Sequence, residues 1–348
     1  MTFAAALRSL HDTAAPDRAG ERAAARIGDV RALVARELGD VEAIVREHIA
    51  AGVAPATESA RHLFESGGKR VRPMALLLAH SCFRPLDDTA RGLAAAAELV
   101  HMATLLHDDV VDDGDQRRGH PTSRRIWGNA VSVLAGDLLL VEALRLGYAA
   151  RPATWQELVT TLGRLVDGEV VQLRGRSEVS LAEATYFEIV NGKTASLFEW
   201  ALRAGAREGG APEIAVDALG RFGGHLGVAF QLVDDVLDYD GDESLTGKSM
   251  LADLHEGKVT LPLIRAAAAA ADDVIPTLVA AVRAGGDDAE AAACRIARIV
   301  RESGACDRVR ELARAETALA LATLEMVPPC RARDVLADVA RGLTARVC

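Results

Sequence analysis

From Ile27 the apolar side chains fall at Ile27, Val30, Leu33, Val34, Leu38, Val41, Ile44, Val45 and Ile49, mostly in steps of three and four. That spacing draws one stripe down a helix, whereas a strand would need every second residue to be apolar. The same spacing recurs along almost the whole chain, and strict alternation followed by hairpin turn residues is hard to find. An all-α fold follows. Loop signals rich in Gly, Pro or Asp interrupt it at "SGGKRVRP" (66–73), "DDGDQRRGHPT" (112–122), "REGGAPE" (207–213), "DYDGDESLTGKS" (238–249), "RAGGDD" (283–288) and "VPPC" (327–330). The alanine run after residue 264 is an excellent helix former and reads as helix, not as low complexity.

Length, at 348 residues, allows one domain or two. The expected organisation is a loose tail over 1–20 and a single all-helical domain over 21–348. With aromatics at only 4%, the core must be mainly Ala, Leu and Val. A net charge of −10 argues against a nucleic-acid partner, which would need a basic surface. The cysteines, Cys82, Cys294, Cys306, Cys330 and Cys348, are odd in number, widely spaced and never in a CxxC pair. They suit a reducing cytoplasm better than a disulfide framework or a zinc site. No apolar stretch reaches the roughly 18–20 residues that would span a bilayer, and no basic start precedes the short apolar run at the N-terminus.

The chemistry is concentrated in two acidic stretches, "DDVVD" at 108–112 and "DDVLD" at 234–238. On a helix, residues four apart share a face, so Asp108 points with Asp112 and Asp234 with Asp238. Such like-charged pairs repel, by a few tenths of a kcal/mol when exposed and by more when partly buried. One copy could be a solvated helix end; two copies, each after an apolar run and before basic residues, ask for a ligand. Mg²⁺ fits, because it takes oxygen ligands and is usually shared between one or two carboxylates and phosphate oxygens. Arg117 and Arg118 could fork onto such oxygens, and Lys69, Arg70 and Arg72 form a second basic cluster beside glycines.

With "GGKRVRP", "LLHDDVVDDGDQRRG", "GNAVSVLAGD", "NGKTASLF", "FQLVDDVLDYDGD" and "GKSMLADLHEGKVTLPLI" in this order, the chain resembles the trans-isoprenyl diphosphate synthases of the polyprenyl synthetase family. The likeness is to the long-chain octaprenyl or hexaprenyl diphosphate type and runs from about Leu63 to Ile264. It implies an isoprenoid-synthase-type bundle of helices around a central apolar cavity. It also implies Mg²⁺, three ions per active site, held by Asp108 and Asp112 on one side of a diphosphate and by Asp234 and Asp238 on the other. By the same resemblance Arg117, Lys193, Lys248 and Lys258 contact the allylic diphosphate, while Thr194 and Gln231 line the reacting end. Lys69, Arg72, His101 and Arg118 bind isopentenyl diphosphate. His107, next to the motif, reads as structural. Ser249, where proline is frequent, and the acidic "DYDGDESLT" depart from the family pattern in the closing loop.

The implied reaction condenses isopentenyl diphosphate with an allylic diphosphate through an allylic cation, the released diphosphate taking the last proton. Ala103 and Thr104, five and four residues before Asp108, lie about one turn deeper than the metal ligands, where the prenyl tail must pass. In the family aromatic residues at that depth go with short products, so small ones imply hexaprenyl length or longer. A short-chain synthase making farnesyl or geranylgeranyl diphosphate is the alternative. A class I terpene cyclase is disfavoured by the symmetric acidic pair and by "GGKRVRP". An HD-type phosphohydrolase would need more histidines, and a non-catalytic partner subunit should have lost its acidic motifs. The family further suggests a homodimer without a transmembrane segment, whose product can pass to membrane enzymes.

Overall fold

The computed structural model describes residues 35–344 except 178–179, 242–250 and 270–273. The expected tail over 1–20 lies outside the described residues. What is described is helical, as the spacing predicts: α1 over 35–50, α2 (Ala56–Glu65), α3 (Val71–Ser81), α4 (Asp88–Val111), α5 (Ser123–Trp127), α6 (Asn129–Tyr148) and α7 (Pro152–Ser177). There follow α8 (Glu183–Val190), a π-helical turn (Asn191–Ala195), α9 (Ser196–Glu208), α10 (Glu213–Asp240), α11 (Ala252–His255), α12 (Leu261–Ala269) and α13 (Val274–Ala284). The chain closes with α14 (Asp287–Glu302), α15 (Ala305–Thr323), a 3₁₀ turn (Leu324–Met326) and α16 (Arg331–Thr344). Among the described residues the only strands are β1 (Gln116–Arg117) and β2 (His120–Pro121), an antiparallel hairpin inside an expected loop. Its turn is Arg118–Gly119, both at positive φ (54° and 79°), the conformation that matches the twist of a two-residue hairpin.

The described residues gather into two compact units. The first takes in the chain up to Leu158, with Trp200–Gly220 and Leu324–Val339. Its core helix is α4. Asp87 starts that helix by accepting the Ala90 amide at 2.9 Å, and Leu93 to Ala97, Leu99, Val100, Met102, Ala103 and Leu106 are buried. A helix apolar around most of its circumference must be covered on several sides; α6, α3 and α2 do so. The small residues matter here. A Cβ on Gly136 of α6 would stand 2.2 Å from His107 Nε2, so only glycine leaves room for that ring. His107 then reaches Val133 O at 3.2 Å and Asp137 Oδ1 at 3.4 Å, the structural part expected of it.

The second unit comprises Val159–Glu199, Arg221–Thr323 and the chain from Ala340. Its core joins Val190 and Ala195 to Leu232, Val236 and Tyr239 of α10, and on to Leu261, Ile264, Ile296 and Val309. Two glycine contacts set the position of the π turn. A Cβ on Gly168 of α7 would come within 2.8 Å of Lys193 N, and one on Gly192 within 2.9 Å of Arg164 O. Gly227 of α10 lies under Ala195, where a Cβ would meet its Cα at 2.5 Å. The turn is therefore clamped backbone to backbone, and Lys193 and Thr194 project from it.

Candidate active site

In the first unit α4 ends at the first acidic motif. Asp112 is its C-cap, its amide donating to Asp108 O at 2.7 Å, and Asp113 at φ 52° stops the helix. Asp108 and Asp112 are both half-buried at this end. The helix dipole is negative there, and the last turn holds no basic residue. A bound cation suits such a placement. Asp109 is different: it is buried and accepts Arg117 Nε at 2.8 Å and Nη2 at 2.7 Å. The hairpin that carries Arg117 is thus tied back onto the motif.

The basic residues do not form one cluster. Arg70, in the left-handed conformation at φ 48°, is buried against Glu98, reaches Glu42 Oε1 at 3.2 Å and lies 4.5 Å over the Phe64 ring. It is a structural arginine and no member of an exposed cluster, because burial and two carboxylates claim its guanidinium. Arg72 is half-buried; desolvation lowers it to about 10, with Glu98 opposing. His101 is held well below the ordinary histidine range by desolvation and then by Arg72, Arg118, Arg117 and Arg70. A neutral imidazole amid guanidiniums is a setting for an anion. Lys69 is half-buried ahead of α3, Arg118 is exposed at the hairpin turn, Ala103 is fully enclosed, and Thr104 Oγ1 donates back to His101 O at 2.8 Å.

In the second unit α10 ends on the second motif, again without a basic residue in its last turn. Asp234 is half-buried. Asp238 is buried and accepts the Ala252 amide at 3.0 Å, which starts α11. Lys193 pairs with Glu169, which also accepts Gln172 Nε2 at 3.3 Å. Lys258 pairs with Glu256 and stands 3.7 Å from Asp253 Oδ1. Thr194 Oγ1 donates to Gln231 Oε1 at 2.9 Å. Asp235 is buried and accepts both Gln231 Nε2 at 2.8 Å and Tyr186 Oη at 2.6 Å. Burial pushes Asp235 up to about 7, Asp253 adding to it and the two hydrogen bonds opposing. Lys248 lies outside the described residues, as does Ser249.

So the first unit brings Arg72, His101, Arg117 and Arg118 into one electrostatic neighbourhood, and the second joins Thr194 to Gln231 through a hydrogen bond. Glu98, Glu169, Tyr186 and the second aspartate of each motif were not foreseen. The available signal was the adjacency in each "DD": neighbours on a helix point about 100° apart, so two such aspartates cannot share a task. Among the described residues no three His, Cys, Asp or Glu side chains are gathered closely enough to hold a metal alone. The paired carboxylates still fit Mg²⁺, which keeps several waters and takes substrate phosphates as ligands.

Residues 54–296 match the family model described as polyprenyl synthetase. An all-trans-nonaprenyl-diphosphate synthase (geranyl-diphosphate specific) of Rhodobacter capsulatus is 37% identical over 92% of this chain and 98% of that one. A short chain isoprenyl diphosphate synthase of Methanothermobacter thermautotrophicus is 32% identical over 85% of this chain and 92% of its own. The solved polyprenyl synthase of Caulobacter crescentus CB15, complexed with calcium and isoprenyl diphosphate, superposes with a TM-score of 0.86 at 35% identity, covering 92% of this chain and 97% of that one.

Proposed function

Because the chain belongs to the polyprenyl synthetase family and is a trans-prenyl diphosphate synthase, we propose that it is a long-chain one, adding isopentenyl units to an allylic diphosphate until the product reaches hexaprenyl length or more, octaprenyl first among the candidates. The observation that carries the length is that Ala103 and Thr104, on α4 about one turn before Asp108, hold no aromatic ring. Two solved relatives are complexed with calcium and isoprenyl diphosphate; here we assign Mg²⁺, three ions, to Asp108, Asp112, Asp234 and Asp238.

When bound, the metal draws charge onto the departing diphosphate as a Lewis acid. Arg117, Lys193, Lys248 and Lys258 bind the same group, and as fixed cations they stabilise the charge that grows on it. For the two lysines whose partners are described, this means exchanging carboxylates, Glu169 for Lys193 and Glu256 for Lys258, for phosphate oxygens. Lys69, Arg72, His101 and Arg118 hold isopentenyl diphosphate, the neutral imidazole donating one N–H while the guanidiniums supply the charge. Thr194 and Gln231 offer oxygens to the allylic carbon. The released diphosphate takes the last proton.

A homodimer is the assembly we assign. Leu134, Val141 and Tyr148 on α6, seven residues apart, are 60%, 45% and 78% exposed, an apolar row that a second copy would cover. Among the described residues no helix is long and apolar enough to cross a membrane; the reducing cytoplasm remains the proposed compartment. The deciding experiment incubates the purified protein with Mg²⁺, isopentenyl diphosphate and farnesyl diphosphate and sizes the products by mass spectrometry. Long polyprenyl products are expected, and Ala103→Phe should shorten them towards farnesyl or geranylgeranyl. A wild type that stops at geranylgeranyl would reject the long-chain reading.

A further inference from the structure

In the second unit Thr194, Gln231, Asp235 and Tyr186 form one chain of hydrogen bonds whose direction is fixed from its buried end. Asp235 is 1% exposed and takes a donor on each oxygen, Gln231 Nε2 on Oδ1 at 2.8 Å and Tyr186 Oη on Oδ2 at 2.6 Å. Both Asp235 oxygens are taken by donors, so Gln231 turns its NH₂ group inward and its carbonyl outward. Thr194 then commits its only hydroxyl hydrogen to that carbonyl, at 2.9 Å. With the NH₂ group directed at Asp235, what the Gln231 carbonyl and the Thr194 hydroxyl have left to offer is oxygen lone pairs. Reversing the amide would instead leave a hydroxyl hydrogen pointing outward, which repels positive charge.

The arrangement is costly as mere packing. Asp235 sits beside Leu232 and Val236 in an apolar core, with no cation among its hydrogen-bond partners, and an isosteric apolar residue there would avoid burying a charge. Tyr186 comes from α8, 49 residues earlier in the chain, and is itself buried at 6% exposure, so its hydroxyl is delivered to Asp235 by the fold and not by local sequence. With Tyr186 Oη donating to one oxygen and Gln231 Nε2 to the other, the Asp235 side chain supports one polarity of the chain. With both oxygens engaged, it is also a different kind of aspartate from Asp234, its half-buried neighbour.

We infer that Tyr186 and Asp235 are positioning residues for prenyl transfer, holding Gln231 and Thr194 in the one polarity that presents oxygen lone pairs to the positive charge developing at the allylic carbon. This rests on the assignment of Thr194 and Gln231 to the reacting end. In this role both act through Gln231.

The test is steady-state kinetics of the full chain with Tyr186→Phe, Asp235→Asn and Gln231→Ala, with Mg²⁺ and each substrate titrated and thermal melting recorded. Tyr186→Phe should lower kcat about tenfold and Asp235→Asn about a hundredfold, the span found for residues that orient others from behind. KM for both substrates and the half-saturating Mg²⁺ concentration should stay within about twofold, since substrate and metal contacts are intact. Adding Tyr186→Phe to Gln231→Ala should cost nothing further, because the residue it positions is gone. If Asp235→Asn raised the half-saturating Mg²⁺ concentration and recovered at high Mg²⁺, Asp235 would be a metal ligand and the inference would fall. Lower melting temperatures with kcat per folded molecule unchanged would reduce both residues to packing and overturn it as well. A Gln231→Ala variant with wild-type kcat would remove the assignment beneath the inference; an impaired Gln231→Ala beside unimpaired Tyr186→Phe and Asp235→Asn would sink the inference alone.

Discussion

The two acidic motifs share a spacing and a place, the C-terminal end of a helix without a basic residue in its last turn, yet their surroundings are of opposite sign. Around the first, Arg70, Arg72, Arg117 and Arg118 help hold His101 neutral, and Asp109 has a guanidinium of its own. Around the second, Asp253 and Asp234 help push Asp235 up, and its partners are an amide and a phenol. The last aspartates differ too: Asp112 is a half-buried cap, while Asp238 is buried and starts the next helix through Ala252. One five-residue pattern therefore serves two environments, one prepared for an anion and one that becomes so only with added cations.

If both motifs hold metal, Asp108→Ala and Asp234→Ala should each lower kcat by at least about a hundredfold, as when a transition-state charge loses its stabilising group. Helical content by circular dichroism should hardly change. Near-normal turnover of one variant would break the symmetry and leave a single metal-binding motif. The electrostatic contrast gives the next test. Inorganic diphosphate without metal should raise the melting temperature, and Arg72→Met should weaken that binding about tenfold, the loss of one charge-assisted hydrogen bond. Lys258→Met should leave it nearly unchanged, Lys258 having carboxylate neighbours. Equal losses from both would erase the difference between the two environments.

The helices were legible because burial writes its period into the chain: the stripe through Leu38, Val41, Val45 and Ile49 is the buried face of α1. The acidic motifs were legible because repulsion at a helix end needs a reason. What could not be read was set by partners distant in sequence. Arg70 sits in the same basic run as Arg72, but Glu98, 28 residues away, and the Phe64 ring take it out of the site. The π turn carrying Lys193 exists where Gly168 and Gly192 let two backbones touch, a contact that neither "DGEVV" nor "NGKTA" announces alone. Adjacency in the sequence sets Asp109 and Asp235 on a different face from the assigned ligands, and their partners show what each of them accepts.

Asp112 and Asp238 separate function from folding on a smaller scale. Asp112→Ala keeps the backbone cap to Asp108 O and removes a charge whose helix-end contribution is only about 0.3–1 kcal/mol. Asp238→Ala removes the acceptor of the half-buried Ala252 amide at the start of α11 and should cost about 0.5–2 kcal/mol. Denaturant midpoints measured without metal would show the gap, and equal midpoints would mean that Asp238 has no structural duty beyond that of Asp112.

The smallest effect expected is that of His101 on the pH dependence of stability. Its folded pKa lies below the unfolded value, because desolvation and then four arginines oppose a proton there. As pH falls below about 6.5, the unfolded chain takes up a proton that the folded protein refuses, so the contribution of His101 is full above that pH and is lost beneath it. By pH 5.5 the loss should approach, but not exceed, about 1.4 kcal/mol. A neutral His101→Gln variant should therefore lose less stability than the wild type between pH 7.5 and 5.5. Diphosphate should shrink the difference, since an anion among those guanidiniums offsets the charge that keeps the imidazole neutral. Parallel melting profiles with and without His101 would show that the arginines leave its titration where the unfolded chain has it, and the contrast between the motifs would then rest on Asp235 alone.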